Sequence, residues 1–434
     1  MRNRLTFNLG VRVEREDVPS YRPENPGIHF GFGDKIAPRA GFAWDVKGDG
    51  KWKAFGSWGM FYDITKTNLP RGLFGAEHSV NYYYTLDTFD WPSIQCAHPP
   101  VGGPSCPGTF IEQVDNRHPS NARDNNLIAP DLEPVRTQEL TVGLDHELTR
   151  TMSVSVRYAH KWVDQTFEDV GTLVAGVGEV FRIANPGQGP AEFPLAAQCP
   201  TCPSQPRPKR TYDGVELRLR KRLSNNWSLD TSYLYSRLYG NYSGLASSDE
   251  NGRLAPNTDR FFDGLYQSYN SFGELVYGRL QTDRPHQYKL QGTYDLRWGT
   301  TFGLEYLLES GTPLQTQVNQ ITIPFFPYGR GDLGRTPTLS RTNLSVAQDF
   351  RLTPSMRIGL NLNVINLFDQ DTATGYNTTP YRDAINLPNE AFFAGFDFAS
   401  VAANTAGIRP DARFRQANAF LGRRELRLMA RVIF

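Results

Sequence analysis

The chain has no apolar run approaching the roughly 18 residues that a membrane-spanning helix requires, and its mean hydropathy is −0.48. A helical membrane protein is thereby excluded. Neither sign of charge is in excess, with 46 Lys and Arg against 45 Asp and Glu. A nucleic-acid partner would call for a basic surplus, and an acidic solvating tail for the opposite one. Cysteine is scarce: 4 residues, in two close pairs, Cys96/Cys106 and Cys199/Cys202, both within Pro- and Gly-rich sequence. The Cys-Pro-Thr-Cys spacing at 199–202 could serve a redox motif or half a metal site, but no second such pair with histidine partners lies nearby. Local disulfides or free thiols remain, as compartment dictates. Catalytic signatures are missing too. There is no His-Glu-x-x-His, no Gly-x-Ser-x-Gly and no phosphate-binding glycine loop. Among 7 scattered histidines, His286 would be the best base for a hydrolase triad, and an interfacial or lumenal hydrogen-bonding role suits it better. No cofactor motif is present, and no enzyme is expected.

What the chain has is aromatic content and alternation. It holds 20 Tyr, 27 Phe and 7 Trp, rich for so polar a sequence. That composition suits two aromatic girdles at membrane interfaces, although a soluble all-β protein favours aromatics as well. Leu5, Phe7, Leu9, Val11 and Val13 alternate with Thr6, Asn8, Gly10 and Arg12. The same period of two recurs at Leu140–Leu144, Val154–Tyr158, Val215–Leu219, Trp227–Tyr235, Tyr288–Trp298, Met356–Val364 and Leu426–Phe434. A helix would place apolar residues at i, i+3 and i+4; these segments are two-faced strands. Each is long enough for a tilted crossing of a bilayer.

The connections alternate short with long. Tight turns are expected at 47–50, 149–150, 224–226, 299–300 and 353–354, the first of them with Asp-Gly chemistry. Between them lie long segments near 15–36, 64–136, 163–210, 239–284, 310–340 and 369–420, rich in Pro, Gly, Asn and Asp. Short turns on one side and long loops on the other are the asymmetry of an outer-membrane barrel. In a soluble domain so many long loops would count against the assignment. The expected fold is an all-β antiparallel transmembrane barrel of about twelve strands, with Tyr82–Tyr84 forming an extra hairpin within one loop. No regular repeat points to a propeller.

Several stretches, taken in order, resemble the barrel of Oar-like TonB-dependent receptors. They are Ala37–Asp45 with Gly48-Asp49-Gly50-Lys51, then Gly56–Asp63, Thr137-Gln138-Glu139 and Tyr212–Leu217. Arg220–Ser224, Asp283-Arg284-Pro285-His286, Ser310-Gly311-Thr312-Pro313 and Asn363–Asp369 follow, and the chain ends on Phe434 after alternating apolar residues. The resemblance implies a barrel of about 22 strands plugged by an N-terminal domain. It makes this chain, 1–434, a single barrel domain corresponding to the C-terminal portion, without the plug or the TonB-contacting segment. It also implies an outer-membrane location in a Gram-negative bacterium. Because Met1 runs directly into a strand with no apolar leader, Met1 is expected not to be the native start. The implied function is a receptor and transporter that takes an unknown ligand at its outer loops and passes it through the lumen. A non-energised porin or a loop-presenting adhesin is the alternative. The expected partners are outer-membrane lipid, the TonB complex for the full-length protein, and the ligand.

Site residues are least legible. Lumen-facing charges should include Arg12, Glu216, Arg218, Arg220, Lys289, Asp295, Arg297, Glu425, Arg427 and Arg431. Arg12, Glu216, Arg218, Arg220, Asp295 and Arg297 are the ligand-binding candidates, and a solvated polar wall is the plainer role for most of them. Asp45, Asp49, Asp249, Glu250 and Asp259 lack calcium-loop spacing and suit turns. Loop aromatics such as Phe261, Phe262, Tyr266, Tyr269, Phe325 and Phe326 are expected to pack loop on loop more than to anchor a partner.

Overall fold

The computed structural model describes residues 4–20, 27–65, 80–98, 103–115, 128–174, 178–187, 202–243, 265–321 and 323–434. Twelve long strands form one antiparallel sheet in sequence order. They are β1 (Leu5–Val13), β2 (Ile36–Asp45), β3 (Trp52–Tyr62), β4 (Arg136–Thr149), β5 (Met152–Gln165) and β6 (Arg210–Ser224). Then come β7 (Trp227–Gly240), β8 (His286–Asp295), β9 (Thr300–Glu309), β10 (Leu339–Arg351), β11 (Arg357–Ile365) and β12 (Glu425–Ile433). A two-residue strand, Gly278–Arg279, extends the pairing at the outer end of β7. The fold is thus the expected antiparallel all-β sheet, with the expected number of long strands.

Register keeps the two faces apart. Directly paired residues share a face, so one outward row runs Leu5, Trp44, Ala54, Leu144, Val156, Leu217, Tyr233, Tyr288 and Leu308 across nine strands. A row on the other face runs Arg220, Asp230, Gln291, Glu305 and Asn343. That polar row lines a single recess of about 660 Å³ together with Asn363 and Arg427. The polar face is therefore concave and the apolar face convex, as a barrel wall in lipid demands.

The five short connections all fall at one end of the sheet, at 46–51, 150–151, 225–226, 296–299 and 352–356. Local chemistry closes them. Asp45 accepts from the amides of Gly48 (2.8 Å) and Gly50 (3.0 Å), and Asp49 accepts from that of Lys51 (2.9 Å). Gly48 and Gly50 adopt positive φ there. Asn225 and Asn226 take φ of 51° and 70°, the geometry of a tight hairpin turn. The two acids of the first turn thus serve the backbone; Asp249, Glu250 and Asp259 lie outside the described residues.

At the opposite end the long connections fold on one another. Tyr82–Tyr84 belongs to a hairpin, Val80–Tyr84 paired with Phe110–Asp115. Its connecting segment is closed by a disulfide between Cys96 and Cys106. Cys202 is also disulfide-bonded, while Cys199 lies outside the described residues. One apolar core gathers Ile28, Phe30, Val135, Phe167, Ile183 and Tyr242. A larger one gathers Leu265, Tyr266, Tyr269, Val318, Ile323, Phe325, Ile385, Phe392, Phe398 and Ala402. Two short helices, α1 (Asn389–Ala394) and α2 (Phe398–Asn404), contribute to it, and Asp397 caps α2 by accepting from Ala399 and Ser400. Phe261 and Phe262 lie outside the described residues.

β1 and β12 are the two ends of the strand order, and no ladder joins them among the described residues. In lipid both edges require strand partners, because unpaired backbone groups there cost several kcal/mol each, roughly.

Candidate functional site

The concave wall is a lattice of cross-strand ion pairs. Side chains of one face on adjacent strands stand about 5 Å apart, so opposite charges at paired positions meet. Lys53 reaches Asp145 (3.0 Å) between β3 and β4, and Lys161 reaches Glu139 (2.8 Å) between β4 and β5. Arg157 reaches Glu216 (2.8 Å) between β5 and β6. Arg218 grips Asp230 through two bonds (2.8 and 2.6 Å), and Arg220 shares the same carboxylate at 3.2 Å. Near the far edge Arg427 binds Glu425 on its own strand.

Several recesses tile this wall. Besides the one along β6–β12, a second of about 550 Å³ is lined by Glu139, Arg157, Lys161, Arg210, Tyr212 and Glu216. A third of about 360 Å³ is bounded by Lys53, Asp145, Glu147, Arg218 and Arg220. The wall thus presents both signs of charge in exchangeable pairs to water and to any solute.

The structure brings only some of the expected residues together. Glu216, Arg218 and Arg220 lie side by side. Arg12 shares their polar face but stands on the edge strand β1, paired with Glu14 at 2.7 Å. Asp295 ends β8 near the inner turn, where it accepts from the Thr301 hydroxyl (2.7 Å). Arg297 is not on a strand: β8 stops at Asp295, and the chain turns through 296–299. The alternation Tyr294, Leu296, Trp298 runs past the point where Gly299 at φ 94° reverses the backbone. Lys53, Asp145, Glu139, Lys161, Arg157 and Asp230 are wall residues that the list of candidates lacks; their charged, period-two positions are the signal that could have found them.

Above the wall, three of the stretches that carried the family resemblance, 283–286, 310–313 and 363–369, form joints between strands and loops. Asp283 is buried, accepts from the Leu238 amide (2.6 Å), and pairs with Arg335 (2.5 Å) and Arg279 (3.3 Å). Arg284 donates to the carbonyl of Ser310 (2.7 Å) and Arg335 to that of Gly311 (2.9 Å), so the 283–286 and 310–313 segments meet. Asn366, buried with φ 53°, donates to the carbonyls of Gln370 and Gly422 (2.8 Å each). A further joint couples the outer ends of β1 to β3. Lys35 is buried against Glu16 and donates to the Asp63 carbonyl (3.2 Å), while the Thr65 amide donates to Glu16 (2.7 Å). Burial alone would raise the Glu16 carboxyl, but Lys35 and Thr65 together hold it below the usual range.

The family described as "Outer membrane beta barrel domain" matches residues 1–309. The chain belongs to this family. With an apolar convex face and a polar concave one, it is an outer-membrane barrel sheet of a Gram-negative bacterium. It is also homologous to a TonB-dependent transporter, Oar of Myxococcus xanthus. The two are 27% identical over 415 residues, covering 89% of this chain and 36% of that protein. The chain thus spans little more than a third of that relative. The ferripyoverdine receptor of the Pseudomonas aeruginosa outer membrane is a structural neighbour at TM-score 0.47 and 12% identity, over 99% of this chain and 36% of that one. The outer-membrane transporter YddB of Escherichia coli gives 0.48 and 11%, over 81% and 38%.

His286 stands on the outward face, where its Nδ1 shares a hydrogen bond with the Tyr233 hydroxyl (2.7 Å) and its ring lies 5.4 Å from that of Tyr235. Among the described residues no group of three His, Cys, Asp or Glu is placed to hold a metal ion.

Proposed function

We propose that this chain is the solute-guiding arc of a TonB-dependent outer-membrane receptor, taking a ligand at the outer loops and passing it along the ion-paired concave wall. The observation that carries the reading is the wall itself. Charged pairs from β3 to β7 line recesses beneath loops that are built as a packed layer. Such pairs, half-exposed to water, exchange partners at little cost and suit a path better than a fixed binding site. The unpaired edges of β1 and β12 would be met by further strands of a longer barrel, as the homology over only part of Oar suggests. The TonB complex would be the partner of that longer protein.

The test compares spent medium from the host strain and from a strain lacking the gene, each with and without a protonophore. At least one solute should persist in the medium of the deletion strain, and the protonophore should abolish its uptake by the host. A solute whose uptake survives the protonophore would make the barrel a non-energised pore. No difference in any solute would sink transport and leave the loop-presenting role, which the loops' own core favours.

A further inference from the structure

At the outer ends of β6 and β7 the outward face turns from apolar to charged. Along β6 and β7 its successive rows are Lys221/Leu229, Leu219/Thr231, Leu217/Tyr233, Val215/Tyr235, Asp213/Arg237 and Thr211/Tyr239. The inner end is marked by the Lys221 ammonium, 3.9 Å over the Trp227 ring. From Trp227 to Arg237 is ten residues of strand. At about 3.4 Å per residue and a tilt of about 40°, that is roughly 25 Å of depth, the height of the apolar band of a barrel. Arg237 therefore stands at the headgroup level of the outer leaflet.

Two cations meet there on an aromatic floor. The Arg237 guanidinium lies 4.5 Å over the Tyr239 ring. Lys209, two residues before Thr211 and on the same face, holds its ammonium 6.0 Å from the Tyr239 ring and 5.9 Å from that of Tyr277. Both cations are exposed, and neither meets a carboxylate within ion-pair distance among the described residues. The nearby arginines differ: Arg136 pairs with Asp164 (3.1 Å), Arg279 with Asp283 (3.3 Å) and Arg284 with Glu309 (3.7 Å). Asp213, the cross-strand neighbour of Arg237, gives its direct bonds to the Tyr158 hydroxyl and to His160 Nδ1, each at 2.7 Å, and acts on Arg237 only as a charge at longer range.

We propose that Arg237 and Lys209 bind the phosphate of an outer-leaflet lipid headgroup, with Tyr239 and Tyr277 as the surface on which its sugar or glycerol part rests. The cations supply charge-assisted bonds to phosphate oxygens, and the tyrosines occupy the amphipathic interface that such rings favour. This site is separate from the lumenal wall and does not depend on transport.

The test is native mass spectrometry of the purified full chain in detergent, titrated with a bis-phosphorylated lipid A and with the same lipid dephosphorylated. Wild type should prefer the phosphorylated form, and the Lys209→Gln/Arg237→Gln double variant should lose about tenfold of that preference. Lys209→Arg/Arg237→Lys should largely restore it. Arg157→Gln/Lys161→Gln, on the concave wall, should leave it unchanged. Should the double variant fail to fold by heat-modifiable migration, the single variants carry the test, each with a smaller loss. The proposal falls if the glutamine variants keep the wild-type preference, or if the wall variant loses as much. Displacement of the lipid by millimolar inorganic phosphate alone would also overturn it, marking a free-anion site.

Discussion

Tyr266 shows how far a single side chain can be read from the sequence. As a loop aromatic it was expected to pack, and it does. Its ring meets Phe392 edge-on at 5.0 Å and stacks on Phe393 at 5.4 Å, and its hydroxyl bonds Asn389, 123 residues away. The partners were not legible, because contacts between separate loops leave no local pattern. Burial pushes the Tyr266 phenol up to about 12. An acid whose folded pKa is raised stabilises the fold fully below its unfolded value, near 10, and loses that contribution as pH rises through the folded one. The loop core should therefore stay closed to about pH 10 and loosen between there and about pH 12, seen as tyrosinate absorbance rising together with protease nicking at 265–269. Tyr266→Phe should remove the coupling; nicking with the same pH profile in that variant would refute the assignment.

The strand faces were legible because a period of two survives in the sequence, but the register was not. The two-residue turn at 225–226 pairs Ser224 with Trp227. Continued without a break, that register would set Leu219 opposite Ser232 and put apolar against polar on each face. A bulge between Lys221 and Ser224 shifts the pairing by one, so that Leu219 meets Thr231 and Arg220 meets Asp230. The β4–β5 hairpin does the same, with Thr149 opposite Met152 and a shift between Glu147 and Thr149. A one-residue slip exchanges the faces, and the bulge is the correction; the Arg218–Asp230–Arg220 cluster exists because of it. Leu217→Arg should consequently cost about 2–4 kcal/mol in urea unfolding from vesicles, as for a cation on the lipid face near the midplane. Arg218→Leu, on the other face, should cost markedly less, and equal costs would mean that the faces are assigned wrongly. The Val80–Tyr84/Phe110–Asp115 hairpin is a different kind of element, too small to be stable alone. Its disulfide spans a sequence separation of 10, and closing such a loop contributes about 2–3 kcal/mol. Cys96→Ser should open the hairpin to proteolysis between Leu86 and Phe110 without changing barrel migration. Equal resistance with and without reductant would show that neighbouring loops, not the bridge, hold it.

On the scale of the whole molecule two layers meet, and they were unequally visible beforehand. The sheet follows from alternation and turn asymmetry. The loop layer does not, since its segments read as irregular, and only the resemblance to a receptor family hinted that 283–286, 310–313 and 363–369 mattered. In space 283–286 and 310–313 join the loops after β7 and β9 to each other, and 363–369 fixes the loop after β11 to β10. Phe392 lies at the centre of what they enclose, fully buried, with its ring 5.1 Å from Phe325 and 5.0 Å from Tyr266. Phe392→Ala should remove about 3–5 kcal/mol of packing. Because one core serves three loops, the loss should appear together in 265–285, 310–338 and 366–424, as faster amide exchange of similar size in each, while β6–β9 remain protected by their ladders. If exchange quickens only around 389–404, the loops are independent flaps, and a ligand could move one without the others. If all three quicken as a unit, the outer layer is a single lid, and a ligand that loosens any part of it loosens the whole roof over the ion-paired wall.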